Sequence, residues 1–241
     1  MAKSRQQKRQ ELRKGKSKDK GLWIYALVAI VLTIIVGVSV YLSTRPKTFT
    51  TSGGETGQTE NIGPAIIEYE EDEIPKEHIQ AEFTMENGEK FTVELYPEYA
   101  PQTVANFVKL VKEGFYNDLS FHRVVEGFMA QGGYPHEMEG GAIVGNIKGE
   151  FSSNGFTQNT LSHQRGVISM ARAEDPNSAS SQFFICYDDA SFLDGEYAAF
   201  GKVIEGMETI DNFLKIERVT NQLGEKALPV TPIIIKSAVI K

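Results

Sequence analysis

The chain has 241 residues, 41% hydrophobic and 24% charged, a composition that suits one or two globular domains with a substantial core. Its net charge of −7 is unevenly spread: residues 1–20 hold nine Lys/Arg against Glu11 and Asp19, a net +7, so the remainder carries −14. An acidic body excludes nucleic acid as the partner of the folded part, because duplex affinity rests on clustered cations that neutralise phosphates.

The basic tail, residues 1–21, leads into "LWIYALVAIVLTIIVGVSVYL", Leu22 to Leu42. This run holds no charged residue and is long enough to cross a bilayer core of roughly 30 Å as a helix. Trp23 and Tyr25 near one end and Tyr41 near the other sit where rings rest at the two interfaces. Cations before the span outnumber Arg45 and Lys47 just after it. The spacing therefore predicts a single-pass signal anchor, residues 22–42, with a cytoplasmic amino terminus and an extracytoplasmic remainder. A cleaved signal peptide has an apolar region of roughly 7–15 residues and a small-residue cleavage site. This run is longer and leads into "YLSTRP". Residues 43–77 are rich in Thr, Gly, Glu and Pro without sustained apolar periodicity, and read as a flexible acidic linker. Within it "EYEEDE" reads as a solvated, self-repelling spacer, since it lacks the glycine and ligand spacing of a calcium loop.

The folded domain is expected over residues 78–241. "IQAEFTM" and "KFTVELY" alternate apolar and polar residues around an Asn-Gly, a strong hairpin signal. Pro97 and Pro101 break the strand. "TVANFVKLVKEG" then sets Val104, Phe107, Val108 and Val111 on one helical face before Gly114 as a stop. Short apolar runs follow at "SFHRVV", "GFMAQG", "GVISMA", "QFFICY", "AAFGKVI" and "PIIIKSAVI", with a second helix at "METIDNFLKI". Many short strands with glycine-rich loops and no alternating βα pattern predict a mainly β fold, a closed antiparallel barrel, from a count of eight strands and two helices.

Several chemistries lack a foundation in this sequence. None of His78, His122, His136 and His163 pairs with another at metal-ligand spacing, and His136 with Glu137 and Glu139 reads as a solvated loop cluster. No phosphate-cradling loop, nucleotide fingerprint or Gly-x-Ser-x-Gly elbow occurs, so no metal or other cofactor and no hydrolase is expected. Cys186 is the only cysteine, so no intramolecular disulfide forms; inside "QFFICY" it reads as a small buried hydrophobe rather than a reactive thiol.

One stretch resists this reading. "FHRVVEGFMAQGG", Phe121 to Gly133, sets Arg123 and Gln131 in what otherwise looks like strand core, where a guanidinium is expensive to bury. Together with "GVISMARAEDPNSASSQFFI" and "FLDGEYAAFGKV", in that order, it closely resembles the cyclophilin family of peptidyl-prolyl cis/trans isomerases, from about Ile79 to the carboxyl terminus. The resemblance implies a closed eight-stranded antiparallel barrel capped by two helices, with a surface groove for extended peptides; with the predicted anchor, the expected partners are proline-containing segments of unfolded or exported proteins. It places the catalytic arginine at Arg123 and its glutamine at Gln131. The apolar floor for the prolyl ring falls on Phe128, counted with the catalytic set, and on Met129, Phe184 and Leu193. Peptide-contacting positions fall on Ala171, Arg172, Gln182, Phe192 and Tyr197.

Three departures from the family pattern carry expectations. Phe192 replaces a tryptophan and removes an indole N–H, which implies weakened cyclosporin affinity. Arg172 replaces an asparagine and implies an added cation at the rim that favours acidic peptides. Tyr197 replaces a histidine and keeps a polar tip on an aromatic body.

Arginine suits such a reaction. Isomerisation of an X-Pro bond faces a barrier of roughly 18–20 kcal/mol because rotation breaks amide resonance. At the twisted geometry the prolyl nitrogen recovers a lone pair, and a donor beside it stabilises that state above either planar one. A guanidinium is always charged and offers a fork of fixed donors. From pattern alone, Phe128, Met129, Phe184 and Leu193 would read as core and Arg123 as a surface arginine; the resemblance reverses both. The same groove would also serve a non-catalytic chaperone or scaffold that holds proline-rich chains, but the intact Arg123, Phe128 and Gln131 favour catalysis.

Overall fold

The structure, a computed structural model, describes residues 65–134, 144–222 and 224–241. The predicted tail and span, the linker up to residue 64, and the His136, Glu137 and Glu139 cluster lie outside the described residues. Among the described residues no helix is long and apolar enough to cross a membrane.

The main sheet has eight strands: β2 (Ile79–Met85), β3 (Lys90–Leu95), β4 (Phe121–Val125), β5 (Met129–Gly132), β7 (Val167–Met170), β8 (Phe183–Cys186), β9 (Ala199–Glu205) and β12 (Ile235–Ile240). Their order is β12-β2-β3-β9-β7-β8-β5-β4, antiparallel throughout. These strands fall on the eight predicted runs. The expected closure is looser than a continuous ladder. The sheet curls until its end strands meet at a bridge between Ser120 and Ile234, flanked by Phe121 N–H to the Ile233 carbonyl (2.9 Å) and Ile235 N–H to the Leu119 carbonyl (2.8 Å).

Alternation decides what fills the curl. On β2, Ala81, Phe83 and Met85 are buried while the residues between are partly exposed, and on β3 Phe91 faces Phe83 in register with rings stacked 4.7 Å apart. The turn is shaped by Asn87, whose side chain accepts from Glu89 N–H, and by Gly88 at φ 84. Phe107, Tyr116, Phe121 and Phe183 interlock by ring contacts in the same core, centroids 4.9–6.4 Å from their neighbours.

Helix α1 (Pro101–Lys112) starts with proline at its first turn, and its free Gln102 and Thr103 N–H groups donate to the buried Glu150 carboxylate at 2.9 and 2.7 Å. It buries Val104, Phe107, Val108 and Val111 as predicted, and also Thr103, Ala105, Asn106 and Leu110. The second helix, α2 (Met207–Asn212), is shorter than "METIDNFLKI" and tightens into a 3-10 turn at Phe213–Lys215.

Two small pairings escaped the sequence reading. β1 (Ile66–Ile67) runs parallel to β6 (Asn146–Ile147), and β10 (Arg218–Thr220) forms a hairpin with β11 (Lys226–Pro229). The first shortens the linker expected over 43–77. Tyr69 is 8% exposed, its N–H donates to Gln102 Oε1 (2.6 Å), its carbonyl accepts from Gln102 Nε2 (2.9 Å), and its hydroxyl meets Asn106 Oδ1 (3.0 Å). The segment is thus fastened along α1, anchored by one ring. Tyr69→Ala is expected to lower stability by about 3 kcal/mol in urea unfolding, through lost burial and orphaned partners. A loss below about 1 kcal/mol would show the segment to be a bystander.

Candidate active site

The arginine in the strand is explained by a register shift. Phe121 pairs with Gly132 and Arg123 with Gln131, so two steps along β4 match one along β5. Without this bulge, residues two apart would share a face. With it, Phe121 enters the aromatic core at 0% exposure, Val124 is buried next, and Arg123 turns to the outer face of the sheet.

On that outer face lies a second apolar cluster, separate from the main core. Met129, Phe184, Cys186, Ala190 and Leu193 are buried in it, with Val125, Phe128, Ala171 and Tyr197 packed against them. A groove opens over this cluster, lined by Arg123, Phe128, Met129, Gln131, Ala171, Arg172, Phe184, Leu193 and Tyr197. Its volume of about 230 Å³ falls below the roughly 300–1,000 Å³ of cavities that hold whole small molecules, a size for one ring. The two other positions named by the resemblance stand beside it. Gln182 bonds to Gln131, and Phe192, 71% exposed, rests against Phe128 at the rim with centroids 5.6 Å apart. Phe192 offers no donor there. Cys186 lies under the floor with its thiol pushed up to about 12 by burial, consistent with an inert hydrophobe.

The guanidinium is held from two sides. Its Nε and Nη2 donate to Glu225 Oε2 (2.9 Å) and Oε1 (2.7 Å), a bidentate pair, while Nη1 donates to Gln131 Oε1 (3.2 Å) and approaches Met129 Sδ (3.9 Å). Gln131 passes the constraint on, its Nε2 donating to Gln182 Oε1 at 3.0 Å. In this arrangement Gln131 therefore orients Arg123, a choice the sequence left open. The Arg123 hydrogen bonds hold the Glu225 carboxyl below its usual range, against the opposing effect of burial. Glu225 was missed because it lies 102 positions away, beside a hairpin that buries Arg218 and Ala227 while exposing Val219 and Leu228, the reverse of an apolar-in pattern.

Arg172 departs from expectation. Its guanidinium lies 4.6 Å from the Tyr197 ring centroid and 5.2 Å from that of Phe151. It donates to the main-chain carbonyls of Glu196 (3.1 and 3.0 Å), Ala173 (2.9 Å) and Glu174 (3.1 Å). The side chain clamps two loops together rather than presenting a free cation at the rim, so it gives no support to a preference for acidic peptides.

A further chain of polar groups supports the floor. Asp194 Oδ1 accepts from His163 Nδ1 (2.7 Å) and from its backbone N–H (2.8 Å), while His163 Nε2 meets Ser169 Oγ (2.9 Å). A carboxylate only accepts, so Nδ1 carries the hydrogen and the neutral ring accepts the serine hydroxyl at Nε2. These are the residue types of a hydrolase triad, but Ser169 is 0% exposed and no substrate carbonyl reaches it. The chain instead fixes Leu193, next to Asp194, and seats the His163 ring against Phe184, centroids 6.0 Å apart and 14° from parallel.

Curled antiparallel sheet, outer apolar groove and edge-fixed guanidinium together define a cyclophilin-like domain. Residues 80–240 match the family described as cyclophilin type peptidyl-prolyl cis-trans isomerase/CLD. The chain belongs to this family and, with it, to the peptidyl-prolyl cis-trans isomerases. It is 46% identical over 130 residues to peptidyl-prolyl cis-trans isomerase B of Bacillus subtilis, covering 54% of this chain and 87% of that protein. It is 46% identical over 127 residues to a peptidyl-prolyl cis-trans isomerase of Helicobacter pylori, covering 52% of this chain and 75% of that one. Among solved structures it is similar to a Cryptosporidium parvum cyclophilin type isomerase crystallised in the presence of the dipeptide Ala-Pro. That match has a TM-score of 0.55 and 31% identity, and covers 67% of this chain and 98% of the other.

Burial lowers the His163 pKa below its ordinary 6.5, outweighing the opposing pull of Asp194. The unfolded chain therefore takes up a proton first as pH falls, so this contribution to stability is complete above about pH 6.5 and is lost progressively below it. Urea midpoints measured between pH 7.5 and 5.5, about one unit either side of that value, are expected to decline, with a shallower slope in His163→Gln. Equal slopes in the two proteins would show that His163 is not held neutral.

Proposed function

We propose that the isomerase reaction runs in this groove with Arg123 as the donor to the prolyl nitrogen. The observation that carries the proposal is a guanidinium fixed at the edge of an apolar floor, with Glu225 on one side and Gln131 on the other. The prolyl ring seats on Phe128, Met129, Phe184 and Leu193, and the flanking peptide runs past Ala171, Arg172, Gln182, Phe192 and Tyr197. No new covalent bond forms. Rotation about C–N pyramidalises the nitrogen, and a guanidinium N–H meets the lone pair that appears only in the twisted state. The apolar floor keeps water from competing for that N–H, so the bond counts for more than it would in bulk solvent. A preorganised donor of this kind is worth about 3–4 kcal/mol, or two to three decades in rate. The Ala-Pro dipeptide associated with the Cryptosporidium structure supports proline-containing segments as the substrate class.

We further propose that residues 22–42 anchor the enzyme in a membrane with the domain outside the cytoplasm, where it acts on exported chains. The uncharged run and the surplus of cations before it support this reading.

Exchange spectroscopy on an Ala-Pro peptide is expected to show catalysed cis/trans exchange that falls by about 10²–10³-fold in Arg123→Ala. Peptide binding without catalysed exchange in the unaltered protein would instead indicate a holding module. Protease added to intact cells is expected to remove the isomerase domain, and full protection would reverse the orientation.

A further inference from the structure

The Glu225 carboxylate occupies the Nε and Nη2 edge of Arg123 in a bidentate pair. A guanidinium carries five N–H groups in one plane. With that edge taken, one Nη1 hydrogen directed at Gln131 and the other toward Met129 Sδ, the N–H that remains is the second one on Nη2. We propose that Glu225 is a positioning residue for isomerisation: it locks the guanidinium plane so that a terminal N–H points over the floor of the groove. This rests on the reading of Arg123 as the donor.

Three observations support a role beyond holding the hairpin in place. First, the hairpin is held without Glu225: Arg218 attaches it, Nη1 donating to the Val124 carbonyl (3.2 Å) and Nη2 to that of Leu214 (3.4 Å), and Val230 N–H closes its base on the Glu217 carbonyl (2.8 Å). Second, the turn is built to aim the carboxylate. Asn221 accepts from Glu225 N–H (3.0 Å) and donates from Nδ2 to Glu225 Oε2 (3.0 Å), while Gly224 at φ 78 supplies the left-handed step. Third, the bidentate pair fixes orientation as well as distance, which a single hydrogen bond does not. Arg123 and Glu225 are 29% and 27% exposed in their side chains, so without this pair a long cationic side chain has open solvent to swing into.

A carboxylate this close also dilutes the positive field that the prolyl nitrogen meets. Positioning outweighs dilution here, because misplacing a catalytic group by about 1 Å costs on the order of 10²-fold in rate. The two effects have opposite signs and can be separated.

The test measures kcat and KM on an Ala-Pro peptide by exchange spectroscopy, using the full chain in detergent micelles. It also follows the Arg123 Nε–H resonance in a ¹⁵N-labelled sample. Glu225→Ala is expected to lower kcat by about 10- to 100-fold with KM within about twofold, and to lose the protected Nε–H signal. Glu225→Gln, which keeps one acceptor oxygen of the two that the bidentate pair uses, is expected to fall between Glu225→Ala and the unaltered protein. An unchanged or raised kcat in Glu225→Ala overturns the proposal, a rise meaning that dilution of charge dominates. If Glu225→Ala does not fold, an unchanged or raised kcat in Glu225→Gln with the Nε–H signal intact overturns it equally. Full activity in Arg123→Ala would defeat the underlying reading of the donor. Loss in Arg123→Ala with none in the Glu225 variants defeats the positioning role alone.

Discussion

A guanidinium set against an apolar wall needs partners that hold it while leaving its working edge free, and most of this site follows from meeting that need. The bulge in β4 is the first condition. It lets Phe121 stay in the aromatic core while Arg123, two residues on, turns outward, so core and site are served by one short strand. The second condition is the pair of flanking acceptors. Gln131 is the register partner on β5, and Glu225 comes from a hairpin that lies against β4. The consequence is a cation whose direction is set by a strand on one side and by the β10–β11 turn on the other.

The sheet also divides two apolar populations that the sequence runs together. On β8, Phe183 points into the core and Phe184 to the groove floor; on β5, Ala130 faces the core while Met129 and Gln131 face outward. Inner and outer clusters thus share a backbone, and the floor is built on the hydrogen-bonded strands of the curled sheet. The His163, Asp194 and Ser169 chain extends this support to Leu193, which stands on a 3-10 turn outside the sheet. Burial keeps that imidazole neutral, which suits a strut and not a proton shuttle.

The main strands were legible because their alternation is strong: Ala81, Phe83 and Met85 against Phe91, Val93 and Leu95 leave one consistent register. Helix α1 was legible from its apolar spacing, although it buries more of its circumference than one face. The bulge was not, since nothing in "FHRVV" marks a one-residue slip; only the misplaced arginine hinted at it. The Ile66–Ile67 strand is too short to show a period, and Tyr69 sits among acidic residues that read as a spacer. Every groove position came from the resemblance, because buried Phe184 and Leu193 look the same from pattern whether they line a core or a pocket. Glu225 lay beyond both routes. Its partner is remote in sequence, and neither periodicity nor the quoted motifs reach the β10–β11 turn.

The claim at the centre of this account is spatial: the prolyl nitrogen of a bound substrate comes to rest beside the guanidinium of Arg123. A crystal structure of the domain with an X-Pro peptide tests it most directly. The account predicts the proline ring on Phe128, Met129, Phe184 and Leu193, Glu225 still paired with Arg123, and a terminal guanidinium nitrogen within about 3–3.5 Å of the reacting amide. A ring bound away from this floor, or an Arg123 turned out of the groove with the peptide in place, would contradict it.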